Sequence, residues 1–538
     1  MGISKYEIIL PLIGEDETEI RSHALLLNGL YGAIDIVTKE VADKLNSGRF
    51  EDLPDGLRER LEKRGHLTQK SPEEEIADLR LLSHVYKETL GRSNVKLIIM
   101  PTYDCNFRCP YCYEQHRLKN GKEWLETTMS RGMTEAVFGA LQNYQKRGYR
   151  LSECTLYGGE PFLAKNIGTV ERIMQHCKDL NIPVSAISNG YDLDCYLDLL
   201  GGFVTHTIQL SIDGAGKTND RRRIHKDGLP TYDHILQNAE MALARGINIT
   251  LRVNVGPENL HAIGELVEDL KARGFIDKEE KRRVEEKELN NAGSGSQKTT
   301  RGKFDYYFKA TDVNRQAKNR IREKDILDEL LKSGFTVKEA MGFHSQFNLM
   351  ASRLHSILKN KRYTGYSPAF CGAEEGMLVI DPFGRVHACW TAVGKKDEGL
   401  VGFVDEQTKR IFFNFNKARW RSRTVDLMER CRICPYAFIC RGGCAAHALH
   451  LNGSYFSEYC GEFREMFDFT ASRVIGAHWN KTHEEELSLT LKEPLSRLTE
   501  AQRETILNTG SRKEMLAILK MTGLFNTPED KGYGTTRP

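Results

Sequence analysis

No apolar run in this sequence approaches the roughly 20 residues needed to cross a bilayer. The opening Met-Gly-Ile-Ser-Lys-Tyr-Glu carries no signal-peptide core. Gly2 does not begin a myristoylation signal, because Tyr6 stands where Ser or Thr is required. Charge of one sign is also lacking: 77 Lys plus Arg against 74 Asp plus Glu leaves +3. That balance argues against bulk electrostatic binding to nucleic acid or a membrane surface. These absences predict a cytoplasmic protein with no nucleic-acid or membrane partner. With 538 residues, the chain is long enough for several domains, each with its own core.

Cysteine, by contrast, is plentiful. Thirteen of them, in a large chain without a secretion signal, point to metal or redox chemistry rather than disulfides. Cys154, Cys177 and Cys195 sit in ordinary strand or helix contexts and read as core filler. The others fall in patterned sets. The first follows the apolar run Leu97 to Met100, a short buried strand, and places Cys105, Cys109 and Cys112 at C-x3-C-x2-C spacing. Cysteine thiolates are the usual protein ligands of iron–sulfur clusters. Three on one loop hold three irons of a four-iron cube and leave the fourth open, and Pro110 stiffens the backbone between the second and third. The alternative is a zinc knuckle completed by His116.

With Tyr111 before Cys112, the loop resembles the signature of the radical S-adenosylmethionine (radical SAM) family. The resemblance implies that Cys105, Cys109 and Cys112 hold a [4Fe-4S] cluster. Its open iron chelates the amino and carboxylate groups of S-adenosylmethionine, and electron transfer then yields a 5′-deoxyadenosyl radical. Such chemistry belongs to the cofactors, and the protein supplies binding and orientation.

Residues 1–92 form a first unit. Tyr6, Ile8 and Leu10 alternate as in a strand, Ser22 to Asn28 is a second strand-like run, and 38–45 and 57–63 are helical. His66-Leu-Thr68 is a candidate short strand. Ser71-Pro-Glu-Glu74 is a capping box opening a helix to Leu90. This pattern resembles the winged-helix leader-peptide recognition element of peptide-modifying enzymes. The expectation is that a leader peptide adds a strand to an exposed sheet edge; the alternative is a structural cap.

Residues 93–365 alternate strands (96–100, 153–157, 183–187, 206–212, 248–254) with helices (128–147, 167–179, 232–245, 259–273), the pattern of an α/β partial (β/α)6 barrel. Chemistry in such folds sits at the strands' carboxyl ends. Tyr157-Gly-Gly-Glu-Pro161 follows the second strand, and two glycines there let a ligand approach the backbone. In the resembled family, Gly158, Gly159, Glu160 and Pro161 hold the cofactor's amino group. The family likewise implies ribose and methionine contacts for Ser188, Asn189 and Ser211, and Arg223 as carboxylate binder. In Asn219-Asp-Arg-Arg-Arg223, Asn stands where the family has His. Arg252 and Asn254 end the fifth strand and are expected to face the mouth. A polar, charged insertion spans 276–303; its Gly/Ser-rich end is no phosphate loop, since Phe304 stands where Ser or Thr is required. A sixth strand at 304–310, a basic helical stretch at 312–332 and a helix at about 341–359 follow.

The second array runs Cys371, Cys389, Cys431, Cys434, Cys440, Cys444 and Cys460 within residues 366–465. It resembles the SPASM domain, an extension carrying two auxiliary [4Fe-4S] clusters. Carried over, Cys371, Cys389 and Cys444 bind the nearer cluster, and Cys431, Cys434, Cys440 and Cys460 the outer one. Tyr363 to Phe370 contains no cysteine, so the nearer cluster is expected to keep one iron open for a substrate thiolate, unless Glu374, Asp381 or His387 closes it. Residues 466–538 read as a helical, charged tail with a disordered end from Asn526.

The resemblance implies a maturase that abstracts a hydrogen from a precursor peptide and installs an intramolecular thioether or carbon–carbon cross-link. Its partners would be the leader-bearing peptide and a reductant such as flavodoxin or ferredoxin. A sulfatase-maturing, formylglycine-forming oxidase is the alternative enzyme. That group typically carries Asp after the cysteine matching Cys389, and here Trp390 follows. A non-catalytic iron–sulfur electron carrier is the third reading, and it leaves Gly158 to Pro161 without a purpose.

Overall fold

The alternation around Tyr6 to Leu10 becomes an antiparallel strand pair in the computed structural model, which describes residues 1–90, 94–114, 121–203, 205–276, 302–311, 321–361, 366–395, 397–509 and 511–524. The body of the 276–303 insertion, His116, residues 312–320 of the basic stretch and the end from 525 lie outside the described residues. The chain divides into two compact units, Met1–Arg92 with Gln346–Glu375 and Arg419–Pro538, and Ser93–Ser345 with Gly376–Ala418. The expected cysteine-rich domain, 366–465, therefore contributes to both units. No helix among the described residues is long and apolar enough to cross a membrane.

In the first unit β1 (Gly2–Ile3) pairs with β5 (Leu67–Thr68), while β2 (Glu7–Ile13), β3 (Glu19–Asn28) and β4 (Ile34–Thr38) form an antiparallel sheet in that order. Helices Lys39–Asn46, Asp55–Arg64 and Pro72–Leu90 follow the strands. The Ser71 capping box forms as expected: the Glu74 N–H donates to Ser71 Oγ, and the Ser71 N–H to Glu74 Oε2. Ala24, Leu26, Val37, Ala42, Leu45, Leu61 and Leu67 share one core. The tail continues this unit. Its helix Phe463–Thr482, which runs across the expected boundary at 466, lies against β2, where a Cβ on Gly476 would stand 2.1 Å from the Ile13 carbonyl oxygen. The exposed strand edge expected for a leader peptide is not open at β4. Ile36 N–H donates to the Glu485 carbonyl (2.8 Å) and Leu487 N–H to the Ile34 carbonyl (2.9 Å).

The second unit is built on β6 (Asn94–Ile99), β7 (Arg150–Leu156), β8 (Val184–Ser188), β9 (Thr205–Ile212), β10 (Ile249–Val255) and β11 (Phe304–Ala310), parallel and in sequential order. Helices Arg131–Lys146, Ile167–Asp179, Tyr232–Ala244 and Ile263–Ala272 supply crossovers. Leu97, Ile98 and Ile99 are all buried, as a strand covered on both faces requires. The sheet does not stop at β6. There β12 (Leu378–Ile380) adds in parallel, and β13 (Arg385–His387), β14 (Leu400–Asp405) and β15 (Arg410–Phe413) continue antiparallel, giving ten strands. Without β12, β6 would present a bare edge. The helix expected at about 341–359 is two, Val337–Phe343 and Ser345–Asn360. Between them His344 turns extended, bridges to Phe308 of β11 and places Nε2 3.1 Å from Glu323.

A buried ionic cluster lies under the three-stranded sheet. His66 Nδ1 is 2.8 Å from Glu7 and Nε2 2.5 Å from Asp35, and Asp35 also accepts from Arg64 Nε at 2.6 Å. Burial works against the imidazolium, but Glu7 and Asp35 overcome it and hold its pKa at about 9. A folded-state pKa above the unfolded value means that the fold gains from the bound proton. That contribution is complete below about pH 6.5 and is lost as pH rises through about 9. The melting temperature of this unit is expected to fall across that window in calorimetric scans. His66→Ala leaves two carboxylates facing each other and should cost about 3–5 kcal/mol, with that stretch of the pH profile flattened.

Candidate functional site

The strand β6 delivers the chain into Met100 to Cys112 at the carboxyl end of the sheet. The loop's course is set by backbone contacts. Arg108 N–H donates to the Ile224 carbonyl (2.7 Å) and Lys226 N–H to the Asn106 carbonyl (2.8 Å), flanking a Phe107–His225 bridge. Cys105 Sγ accepts from Phe107 N–H at 3.3 Å and lies 3.8 Å from Asn189 Nδ2. Burial, then Glu160, then the thiols of Cys109 and Cys112 push the Cys105 thiol well above its ordinary pKa. The Cys109 and Cys112 thiols thus lie within electrostatic range of Cys105. No group of three or more His, Cys, Asp or Glu side chains converges as the ligands of a single metal ion among the described residues. In a cube each thiolate meets a different iron, so a looser triangle is what the cluster asks for.

Glu160 ends β7 and is 1% exposed. Its carboxylate accepts from Asn189 N–H (2.6 Å), Ser188 Oγ (2.7 Å) and Phe162 N–H (2.9 Å). Burial dominates over these bonds and raises its pKa to about 7. The sequence reading gave Gly158 and Gly159 to a ligand, and the structure adds a second role. The cysteine loop also approaches them: a Cβ on Gly159 would lie 2.1 Å from the Asp104 carbonyl oxygen and 2.3 Å from that of Tyr103. Gly158, at φ +143°, would meet the Thr102 carbonyl at 2.7 Å. Glu160 N–H donates to the Asp104 carbonyl at 2.7 Å. The motif clamps the loop, and the clamp carries Glu160 and Cys105 together.

Across the mouth Arg223 Nη1 donates to the Tyr111 hydroxyl (2.8 Å), and its guanidinium lies 5.5 Å from the Phe107 ring. Its Nε is buried and has no hydrogen-bond partner among the described residues. Arg222, which the sequence reading passed over, lies 4.9 Å over the Tyr111 ring and bonds Asp213 (3.2 Å) and Glu258 (2.6 Å). Three consecutive arginines carried the signal, and only the position of the family motif singled out one. Asn219, standing for the family's His, is wholly buried: Oδ1 accepts from Asp213 N–H and Nδ2 donates to Thr231 Oγ1. Arg252 Nε donates to Asn254 Oδ1 (2.9 Å), and Asn254 Nδ2 reaches Asp213 at 3.3 Å. Ser211 lies opposite Arg252 in the β9–β10 register. Trp390, next to Cys389, has its ring 6.0 Å from that of Tyr157, whose hydroxyl meets that of Tyr113.

In the first unit Cys431, Cys434, Cys440 and Cys460 are gathered. Burial and then Cys460 and Cys434 push the Cys440 thiol to about 12, and the same neighbours raise Cys431. Between Cys440 and Cys444 the backbone is left-handed at Arg441, Gly442 and Gly443. A Cβ on Gly443 would stand 1.8 Å from the carbonyl oxygen of Tyr459, the neighbour of Cys460. Burial works against the Cys444 thiolate, yet His447 brings its pKa below the ordinary value. Glu374 is fully engaged: it accepts from Phe370 and Cys371 N–H and pairs with Arg423. Cys389, Asp381 and His387 belong to the second unit, where Asp381 accepts from Tyr103 Oη (2.5 Å) and from Phe383 and Arg385 N–H.

Residues 99–270 match the Radical SAM superfamily. That stretch is a radical SAM domain, and the enzyme reading it supports stands against the carrier reading. Relatives of the chain include the cysteine-type anaerobic sulfatase-maturating enzyme of Clostridium perfringens (strain 13 / Type A), 22% identical over 404 residues, 71% of this chain and 97% of that protein. The sporulation killing factor maturation protein SkfB of Bacillus subtilis (strain 168) is 26% identical over 168 residues, 31% of this chain and 37% of that one. Among solved structures, native anSMEcpe with bound AdoMet and Cp18Cys peptide shares the fold, with a TM-score of 0.51 at 17% identity over 72% of this chain and 99% of that one.

The clamp makes a sharp demand. Gly159→Ala drives a methyl into two loop carbonyls and must displace Cys105 relative to Glu160. An ångström of misplacement costs about 100-fold in rate, so 5′-deoxyadenosine formation should fall by at least that factor. Gly168→Ala, whose Cβ meets nothing closer than 3.8 Å, should leave the rate unchanged in the same chromatographic assay.

Proposed function

We propose that this enzyme matures a precursor peptide, removing a hydrogen from it and installing an intramolecular thioether or carbon–carbon cross-link. The observation that carries the reading is the convergence of Cys105, Cys109 and Cys112 with Glu160, together with a separate gathering of Cys431, Cys434, Cys440 and Cys460. The donor sets fit the implied groups. Three thiols on a clamped loop suit a cube with one open iron, and metal binding takes their protons despite the raised pKa. The buried, unpartnered Arg223 Nε suits a carboxylate, and Glu160 suits an amine. S-adenosylmethionine on such a cluster supplies a carbon radical able to remove an unactivated hydrogen.

This chain's own residues orient and shield. The Asp104–Gly159 clamp fixes the loop, Tyr111 and Arg222 close one wall, and Asp213 ties Arg222 to Asn254. Cys431, Cys434, Cys440 and Cys460, all in the first unit, would hold the outer auxiliary cluster. Residues 1–92 would recognise the peptide's leader, and a flavodoxin- or ferredoxin-type donor in the cytoplasm would supply electrons. The likeness to the sulfatase-maturating enzyme over 97% of its length favours a second reading, formylglycine formation. Against it stands Trp390, because indole accepts no proton.

Replacing Cys105, Cys109 and Cys112 together by Ala should abolish 5′-deoxyadenosine formation while visible absorbance from the remaining clusters persists; undiminished formation sinks the assignment. Mass spectrometry of a peptide encoded beside the gene separates the two readings. A cross-link leaves the product two hydrogens lighter and without an aldehyde, whereas formylglycine formation leaves an aldehyde that a hydrazine captures and, when it starts from cysteine, removes the sulfur.

A further inference from the structure

The free edge of β4 is occupied by the protein's own chain, and the occupant is held as a peptide ligand is held. Residues 484–491, Glu-Glu-Glu-Leu-Ser-Leu-Thr-Leu, leave the helix Phe463–Thr482 and run antiparallel to β4, bridging at Asp35 and Glu486. Main-chain bonds fix the register: Ile36 N–H to Glu485 O, Leu487 N–H to Ile34 O, and Leu491 N–H to Tyr31 O. Side chains then read the strand. Ser488 Oγ accepts from Ile34 N–H (2.9 Å) and donates to the Gly32 carbonyl (2.6 Å). Leu487 is fully buried, while Leu489 is 62% exposed. From the helix Asp55–Arg64, Arg60 reaches Glu485 at 3.0 Å, and Arg64 reaches the Ser488 carbonyl at 2.7 Å and Glu486 at 3.5 Å.

Main-chain pairing for affinity with alternate side chains for specificity is how a sheet edge recognises a peptide. We infer that the β4 edge is a peptide-binding groove filled in cis by residues 484–491, and that its external partner is an extended segment of the same chemistry: one or two carboxylates, then leucine, then a hydroxyl residue. The inference deepens the reading of residues 1–92 as a peptide-recognition unit and names what they take. An incoming leader must displace the tethered strand, so its apparent affinity is reduced by the fraction of time the groove is closed. Glu485 and Glu486 are themselves about half exposed, whereas Leu487 and Ser488 are buried. The pattern Leu-Ser, more than the acidic run, is the core of the recognised sequence.

Two measurements test this, and neither involves the cysteines or cofactor cleavage, so their failure leaves the catalytic reading standing. Hydrogen exchange on the unmodified chain compares the amides of Leu487 and Ile36 with that of Leu26 in β3. A displaceable strand opens locally, and its amides should exchange roughly 100-fold faster than Leu26. Exchange of all three at one rate makes the segment permanent core and overturns the inference. The second probe is a fluorescein-labelled synthetic peptide of residues 483–491, offered to the full chain and to its Leu487→Asp variant. The variant, its own strand loosened, should bind the peptide roughly tenfold more tightly than the unmodified chain. A peptide with Asp at the leucine position should not bind. Equal or absent capture by a variant that still melts cooperatively overturns the inference; should the variant not fold, the exchange comparison decides alone.

Discussion

Everything at the mouth of the sheet depends on one backbone contact, the seating of Gly159 and Glu160 on the carbonyls of Tyr103 and Asp104. The loop from Met100 to Cys112 has little regular structure of its own, and a loop of that kind is ordered only by partners. Here the partners are main-chain groups: the clamp on one side, and the Phe107–His225 bridge on the other. Two strand ends that are neighbours in a parallel sheet are thereby locked at a fixed separation. Because Glu160 is the next residue after the clamp, its carboxylate has no freedom relative to Cys105, and its three hydrogen bonds to Ser188, Asn189 and Phe162 extend the lock to β8. Three consecutive strand ends are thus coupled by short polar contacts in a dry environment, where each is stronger than in water.

The second cysteine group uses the same device with different parts. Gly443 lets the Cys440–Cys444 loop sit on the Tyr459 carbonyl beside Cys460, and Tyr459 N–H returns a bond to the Gly442 carbonyl. Arg423, fully buried, then ties this loop down by donating to the carbonyls of Gly442, Tyr455 and Ser457 while pairing with Glu374. A buried ion pair rarely stabilises more than apolar residues of the same volume. Its use here is positional: a planar guanidinium with several donors collects carbonyls that no apolar residue can satisfy.

The sequence was legible where burial writes a pattern and illegible where partners are distant. The six parallel strands fell close to their expected spans because they alternate buried with half-buried positions, as Val184–Ser188 and Ile249–Val255 do, between helical stretches. β4 escaped because Ile34-Asp-Ile36 places a buried carboxylate inside a short run, and only the structure shows Arg64 and His66 that neutralise it. The extension of the sheet by β12 was invisible for another reason: Leu378 pairs with Leu97 across most of the unit's length in sequence. The site motifs were read by residue type, and their partners within the chain were not. Gly158 and Gly159 also admit the carbonyls of the cysteine loop, and Arg222 stands beside Arg223 against Tyr111. Nothing in a row of three arginines tells which of them turn inward.

The choice between the two maturation chemistries turns on where a proton goes. Forming an aldehyde from a cysteine or serine side chain requires that the thiol or hydroxyl proton leave to an acceptor at the reacting carbon. In this chain the position after Cys389 offers an indole, a donor only, with the Tyr157 ring 6.0 Å away and the Tyr157 and Tyr113 hydroxyls meeting each other. That aromatic group presents ring faces and phenols, and phenols are weak bases. On the cross-linking reading, a substrate thiol held by an auxiliary cluster would release its proton on binding, so its coupling to a carbon radical would need an electron acceptor and no base. The proposed preference for cross-linking over aldehyde formation rests on Trp390, which puts an indole where a base would have to stand.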